Sequence, residues 1–186
     1  HASTYTNLFV LPRFCMESYL IDPNEIWEAL PEKQRQKLAN GFTTLESAIS
    51  QNKANWLRHA ALWHVVNPLW RHMMDLGFNN VVLDPQDIPD DTKLLETFEA
   101  WGRVIDAQTT LTSVNRTLAN IQTKPEPEQF SRWIYAKDFY PQIVHQALDK
   151  LLGQRSEKNR RADLFRHIPL PTDLEPLWQK MGLVTQ

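Results

Sequence analysis

Glu17 stands where backbone geometry commonly places chemistry. It follows the apolar run Leu8-Phe9-Val10-Leu11, closed by Pro12, a pattern that predicts a short buried strand. It is the one carboxylate in the segment Arg13-Phe14-Cys15-Met16-Glu17-Ser18-Tyr19-Leu20-Ile21. Strand ends beside helix starts are frequent positions for functional groups. The plain alternative is a half-buried carboxylate held by Arg13 or by backbone N–H groups. Lys137 occupies a second junction of the same kind, between an expected extended run, Phe130–Tyr135, and a helix expected to reach Leu152. A third group of charges follows on a basic helix, Ser156 to His167. There Arg155, Lys158, Arg160, Arg161 and Arg166 outnumber Glu157 and Asp163. Such a helix contacts nucleic-acid phosphates or is simply a solvated face.

Other residue types support less. Cys15 is the single cysteine, so no intrachain disulfide forms and a cytoplasmic location is expected. Its apolar neighbours make it a core filler rather than a nucleophile. His59, His64 and His72 lack the i, i+4 spacing of helical metal ligands. Asp84, Asp87, Asp90 and Asp91 match no calcium loop, and the last two read as cap and first turn of a helix. Five glycines and no Gly-rich phosphate loop argue against a self-contained nucleotide-binding domain. A formal charge of −2 gives no global attraction to nucleic acid. No apolar stretch approaches the roughly 20 residues of a membrane span, and no signal-peptide pattern is present.

The elements that position these residues are mostly helical. Asp22-Pro23-Asn24-Glu25 marks a helix start, with Asp22 as cap and proline in the first turn. A charged segment, Glu32 to Ala39, follows Pro31 and stops at Asn40-Gly41. Thr43-Thr44-Leu45-Glu46 reads as a capping box opening a long helix to Val66, which Asn67-Pro68 should kink or break. Trp56, Trp63 and Trp70 recur every seven residues along it. That series suits a base-stacking platform or the core stripe of an amphipathic helix, and the stripe is the expectation adopted. Val81-Val82-Leu83 is a candidate brief strand. From about Thr92 one apolar face carries Leu94, Phe98, Trp101 and Ile105. It resumes one residue out of phase with Leu111, Val114, Leu118 and Ile121, the mark of a bent helix or two abutting ones. Lys124-Pro125-Glu126-Pro127-Glu128 reads as a linker. Thr172-Asp173-Leu174-Glu175 caps a last helix. The expectation is a mainly α fold of six to eight helices with two or three short strands. Its parts are residues 1–40, a helical insert over 41–128, and 129–186 packing back on the first segment.

Two stretches resemble a known family. Arg13-Phe14-Cys15-Met16-Glu17-Ser18-Tyr19-Leu20-Ile21-Asp22-Pro23 resembles the segment that follows the acidic strand of Toprim-like proteins. Trp133-Ile134-Tyr135-Ala136-Lys137-Asp138 is similar to their late Gly-Lys segment, with Ala136 in place of glycine. The close, a basic helix followed by Ile168-Pro169-Leu170-Pro171-Thr172-Asp173-Leu174, resembles their C-terminal end. The nearest group is the uncharacterised Toprim-like proteins that accompany ABC-type ATPases in bacterial anti-phage loci, relatives of the overcoming-lysogenisation-defect nucleases. The resemblance covers both ends of the chain and is weak over 41–128. It implies a Mg²⁺-dependent nuclease parent and an ABC-type ATPase partner. In that family a strand Glu and an Asp-x-Asp pair hold the metal. This sequence has no Asp-x-Asp, and it begins with His1 rather than Met. The expectation is therefore a piece whose metal carboxylates lie upstream, with no cofactor of its own and no activity alone. Lys137 would then stabilise transition-state charge, and Glu17 would orient a metal-bound water or a neighbouring group. The competing readings are a helical module for protein–protein interaction and a nucleic-acid-binding domain acting through Arg155, Lys158, Arg160 and Arg161.

Overall fold

The computed structural model describes residues 12–76, 78 and 90–182. The chain is mainly helical, and no strand occurs among the described residues. The expected strands at Leu8–Leu11 and Val81–Leu83 lie outside them. The chain forms two compact units, one up to Trp56 and from Lys124 onward, the other Leu57–Thr123. The expected insert boundary at residue 41 is thus displaced. The helix over Phe42–Ser50 packs against Pro23–Ala29 and His145–Leu152 and belongs to the first unit.

In the first unit a 3-10 turn, Met16–Tyr19, leads into α1, Pro23–Ala29. The α1 start is as read: the Asp22 side chain accepts from the Asn24 N–H at 2.7 Å, and Pro23 needs no donor in the first turn. The segment after Pro31 is helical only over α2, Glu32–Arg35. Gly41 then takes φ +58°, a left-handed conformation that favours glycine, and α3 runs over Phe42–Ser50. Gly41 and not Thr43 is the N-cap. The Thr44 hydroxyl instead accepts from the Asn40 N–H at 3.2 Å, so no capping box forms. A break at Gln51-Asn52 separates α3 from α4, Lys53–Asp75. After Pro125, α7 covers Glu126–Glu128 and passes into a π-helical turn, Gln129–Trp133. The run expected to be extended is therefore mostly helical. Phe130 and Ile134, both buried, lie four apart, a spacing that serves a helix face as well as a strand face. Next, α8, Ala136–Phe139, continues through a second π turn, Tyr140–Val144, into α9, His145–Leu152. Pro141 falls in that turn and supplies no backbone N–H there. Gly153, at φ +100°, ends α9. The Ser156 hydroxyl caps α10, Glu157–His167. A 3-10 turn, Thr172–Leu174, precedes a short α11, Glu175–Lys180, with no side-chain cap bond.

The core of this unit is aromatic and aliphatic. Phe139 is fully buried, with the Trp56 ring edge-on at 5.2 Å and the Phe130 ring at 6.0 Å. Burying one such side chain stabilises by about 1.5–3 kcal/mol. Ile26, Leu45, Ile49, Val144, Leu148 and Leu164 complete the packing between α1, α3, α9 and α10.

The second unit contains the remainder of α4, with α5, Asp91–Val104, and α6, Ala107–Gln122. The phase shift read from the sequence marks two helices. Asp90 caps α5 and Asp106 caps α6, each accepting an N–H three residues on. α4 runs through Pro68 without ending, so of the kink or break expected there the break does not occur, and the helix continues to Asp75. The expected tryptophan core stripe holds at Trp56, which packs on Phe139, and fails beyond it. Trp63 is 50% and Trp70 46% exposed, while Leu57, Ala60, Ala61 and Met73 are buried. No helix among the described residues is long and apolar enough to cross a membrane.

Candidate functional site

Glu17 lies in the Met16–Tyr19 turn, which follows extended backbone at Cys15 (φ −156°) and closes with the Leu20 N–H on the Glu17 carbonyl at 2.9 Å. That turn packs on α8 and on the Gln129–Trp133 turn. The Glu17 Oε1 accepts from Arg161 Nη1 at 2.9 Å, across 144 residues of sequence. Arg161 Nη2 pairs with Glu157 Oε1 at 2.7 Å, one turn earlier on α10. The same guanidinium lies 5.6 Å from the centroid of the Tyr140 ring. Lys137, the second residue of α8, is exposed, and its charge reaches Glu17. Lys137 forms no hydrogen bond or ion pair among the described residues. The two residues singled out at expected junctions are thus brought into one cluster, together with Arg161, Glu157 and Tyr140. The junction at Lys137 is helical on both sides of a brief irregular link rather than strand-to-helix.

The cluster's electrostatics favour fixed charges. Burial works against ionising Glu17, but its own backbone N–H, the Cys15 thiol and the charges of Arg161 and Lys137 outweigh it. The carboxyl pKa is pulled below its ordinary value. Glu17 is therefore a stable anion, suited to holding a cation and ill suited to carrying a proton near neutral pH. Burial pushes the Tyr140 phenol up despite the nearby arginines, so it stays protonated. Its hydroxyl is buried with no partner among the described residues. Burial also raises the Cys15 thiol, against a contact to the Ser18 hydroxyl at 3.5 Å, which leaves little thiolate.

The alternative holder of Glu17, Arg13, is engaged elsewhere. Its guanidinium forks onto Glu25 at 2.6 and 2.5 Å, donates to Asp173 at 2.8 Å and to the Ser18 carbonyl at 3.0 Å, and lies 4.1 Å from the Tyr19 ring centroid. Burial opposes its charge, and the bonds and charges of Glu25 and Asp173 overcome it, raising its pKa further. One buried arginine thereby ties the N-terminal segment, α1 and the Thr172–Leu174 turn together.

The expected phosphate-binding face of α10 is mostly consumed internally. Arg160 is 4% exposed and donates to Asp149 at 2.9 Å and to the Gly153 carbonyl at 2.6 Å, so it is a packing residue rather than a surface cation. Arg161 is held by Glu17 and Glu157, and Arg155 pairs with Asp163. Lys158 is exposed and has no partner among the described residues. Sequence reasoning missed Glu157 and Tyr140 as members of the Glu17 cluster. The i, i+4 spacing of Glu157 and Arg161 was a visible signal for the first. The Arg13–Asp173 contact spans 160 residues and left no local signal.

The first unit holds cavities among its described residues. One of about 210 Å³ is bounded by Ala48, Asn52, Ile143, Gln146, Ala147 and Lys150. One of about 100 Å³ is bounded by Leu30, Gln34, Arg160, Asp163, Leu164 and His167. Neither is lined by Glu17 or Lys137, so these two residues share a surface cluster and not one of these cavities. Among the described residues no group of three or more His, Cys, Asp or Glu side chains is placed to hold a metal ion. The described residues thus offer no ligand set for the Mg²⁺ that the family resemblance implies. No family model, no curated protein and no solved structure matches the chain.

Proposed function

We propose that this chain is the helical part of a Toprim-like nuclease of bacterial anti-phage defence, inactive alone, in which Lys137 faces the substrate phosphate. The observation that carries the reading is the convergence of Glu17, Lys137 and Arg161 from three separated segments onto one surface. Lys137 is the unpaired cation of that cluster and is the group able to meet an anion. Glu17 acts as a positioning residue: it holds Arg161, and Glu157 holds the other guanidinium nitrogen. The test is to place Lys137→Ala and Glu17→Gln in the full-length parent and measure phosphodiester cleavage, with circular dichroism as a fold control. Cleavage falls at least tenfold for Lys137→Ala and less for Glu17→Gln. Unchanged cleavage in both discards the assignment.

A second reading, a helical module for an ATPase or other protein partner, has its own support in the second unit. Trp70, Phe78, Trp101 and Phe98 form a chain of ring contacts at 5.4, 5.1 and 5.6 Å. Trp70 and Phe98 at its ends are half exposed, the composition of an interaction surface. Binding to nucleic acid through α10 has less support, since Arg155, Arg160 and Arg161 are already paired.

A further inference from the structure

Among the described residues Phe14 is the most exposed large apolar side chain, at 63%. It does not stand on a loose segment. Arg13 before it is buried and fixed on Glu25 and Asp173, and the Met16–Tyr19 turn follows it closely. The Phe14 ring lies 5.5 Å from the Tyr135 ring, tilted by 58°. Tyr135 is the N-cap position of α8, just before Lys137. Phe14 and Tyr135 thus join the same two segments that the charges of Glu17 and Lys137 join. The aromatic pair and the exposed cation are neighbours. A second exposed cation, Arg132, precedes Tyr135 on the turn that packs on Met16–Tyr19. Neither Arg132 nor Lys137 has a hydrogen bond or ion pair among the described residues. Over 129–139 Asp138 is the one carboxylate. Glu17 and Glu157 are already turned onto Arg161.

Unpaired cations interleaved with an open ring suit a nucleic-acid strand, which offers an anionic phosphate and a flat base at each step. In a duplex the bases stack on one another and their faces are closed. In a single strand a base leaves its neighbours and lies on a side-chain ring instead. An apolar protein surface would cover Phe14 but bring no anion to Arg132 and Lys137. We infer that an unpaired nucleobase stacks on Phe14 beside Tyr135 while the adjoining phosphates meet Lys137 and Arg132, so that this site takes a single strand. This rests on Lys137 as the phosphate contact proposed above, and adds what lies beside that phosphate.

The experiment is fluorescence anisotropy at low salt with the whole chain. The probes are labelled oligothymidylate, the same strand annealed to oligoadenylate, and a strand of abasic sites with the same phosphates. Wild type binds the single strand about tenfold more tightly than the duplex or the abasic strand. Phe14→Leu keeps an apolar side chain but no flat face. Its binding to the single strand falls about tenfold, and its binding to the other two probes is unchanged. Lys137→Ala weakens binding to all three, because a phosphate contact is lost. Oligouridylate, run in parallel, tells an RNA strand from a DNA strand, and the same dependence on Phe14 with either one upholds the base seat. Equal binding of normal and abasic strands overturns it, and so does full single-strand preference in Phe14→Leu. If Lys137→Ala still weakens binding in that case, the phosphate contact stands and the base seat alone is lost. If Phe14→Leu weakens single-strand binding and Lys137→Ala does not, the base seat stands and the Lys137 contact is discarded. No binding to any probe overturns both and leaves the Phe14–Tyr135 pair to a protein partner. Phe14 and Lys137 are exposed, so retained helicity separates lost binding from lost folding.

Discussion

The two units spend their apolar residues differently. In the first, large side chains such as Tyr19, Phe130, Phe139 and Tyr140 are fully buried, and the arginines Arg13 and Arg160 are buried against half-buried carboxylates. In the second, the buried apolar side chains among the described residues are Leu57, Ala60, Ala61, Met73, Val114 and Ile121, half of them small or flexible. Its large residues, Trp63, Trp70, Leu95 and Phe98, stay about half exposed. A core of that kind gives a unit lower local stability and leaves its aromatic surface for contact with another molecule. The first unit carries the charged site, and its rigidity suits holding Arg161 and Lys137 in place.

The largest expected effect breaks the first unit. Arg13→Met removes the partner of Glu25 and Asp173, whose side chains are 26% and 23% exposed. Leaving paired carboxylates without their cation costs on the order of 3 kcal/mol. Urea unfolding followed by amide hydrogen exchange measures it. Protection drops for amides of α1, α9 and the Thr172–Leu174 turn, and amides of α5 and α6 keep theirs. An equal loss in both units would mean that they unfold as one and that the contrast drawn between them is wrong.

The sequence carried the helical elements well where local chemistry set them. Asp22-Pro23 and Asp90 cap helices as read, because a short side-chain oxygen and an adjacent helix start need no tertiary information; Asp106 and Ser156 also cap helices, although neither was read as a cap. It failed where tertiary contacts decide. Thr43 lost its cap role because Gly41 caps the helix two residues earlier, beside Trp27. Phe130–Tyr135 reads as extended from its aromatic and β-branched content, yet Pro125 and Pro127 open a helical turn that carries Phe130 and Ile134 inward. Trp63 and Trp70 have the spacing of a core stripe, and only packing shows which side of α4 is covered. For the candidate site, Glu17 and Lys137 were legible individually as charges in unusual company. The partner of Glu17, Arg161, was not, because ion pairs between residues 144 apart leave no pattern in a chain.

A smaller change sharpens the second unit's side of the contrast. Gly102→Ala adds a methyl group that meets nothing within 4 Å and removes glycine's helix penalty. The protein is expected to gain about 1 kcal/mol, read as a shift in thermal unfolding. The gain appears in α5 and α6 exchange protection and is absent from α9. A loss of stability would show that some contact in the protein does need the glycine.

The smallest effect concerns Glu17 and isolates its charge. Its folded pKa lies below the unfolded value, so its stabilising contribution is complete above the ordinary carboxylate range, about 4.3. That contribution is lost as pH falls through the lowered folded value. Glu25 has the opposite sign: burial raises its pKa despite Arg13, so its ionisation costs stability, and that cost vanishes on acidification. The two effects overlap in any single unfolding curve, and a difference separates them. Subtracting Glu17→Gln from wild type leaves a gap of about 0.5–1 kcal/mol at pH 7, the scale of a partly exposed ion pair. The gap closes between about pH 4.5 and the acid limit of folding. If the two stabilities instead run parallel down to pH 3, the Arg161 ion pair contributes no net stability and Glu17 is retained for what it presents to a partner.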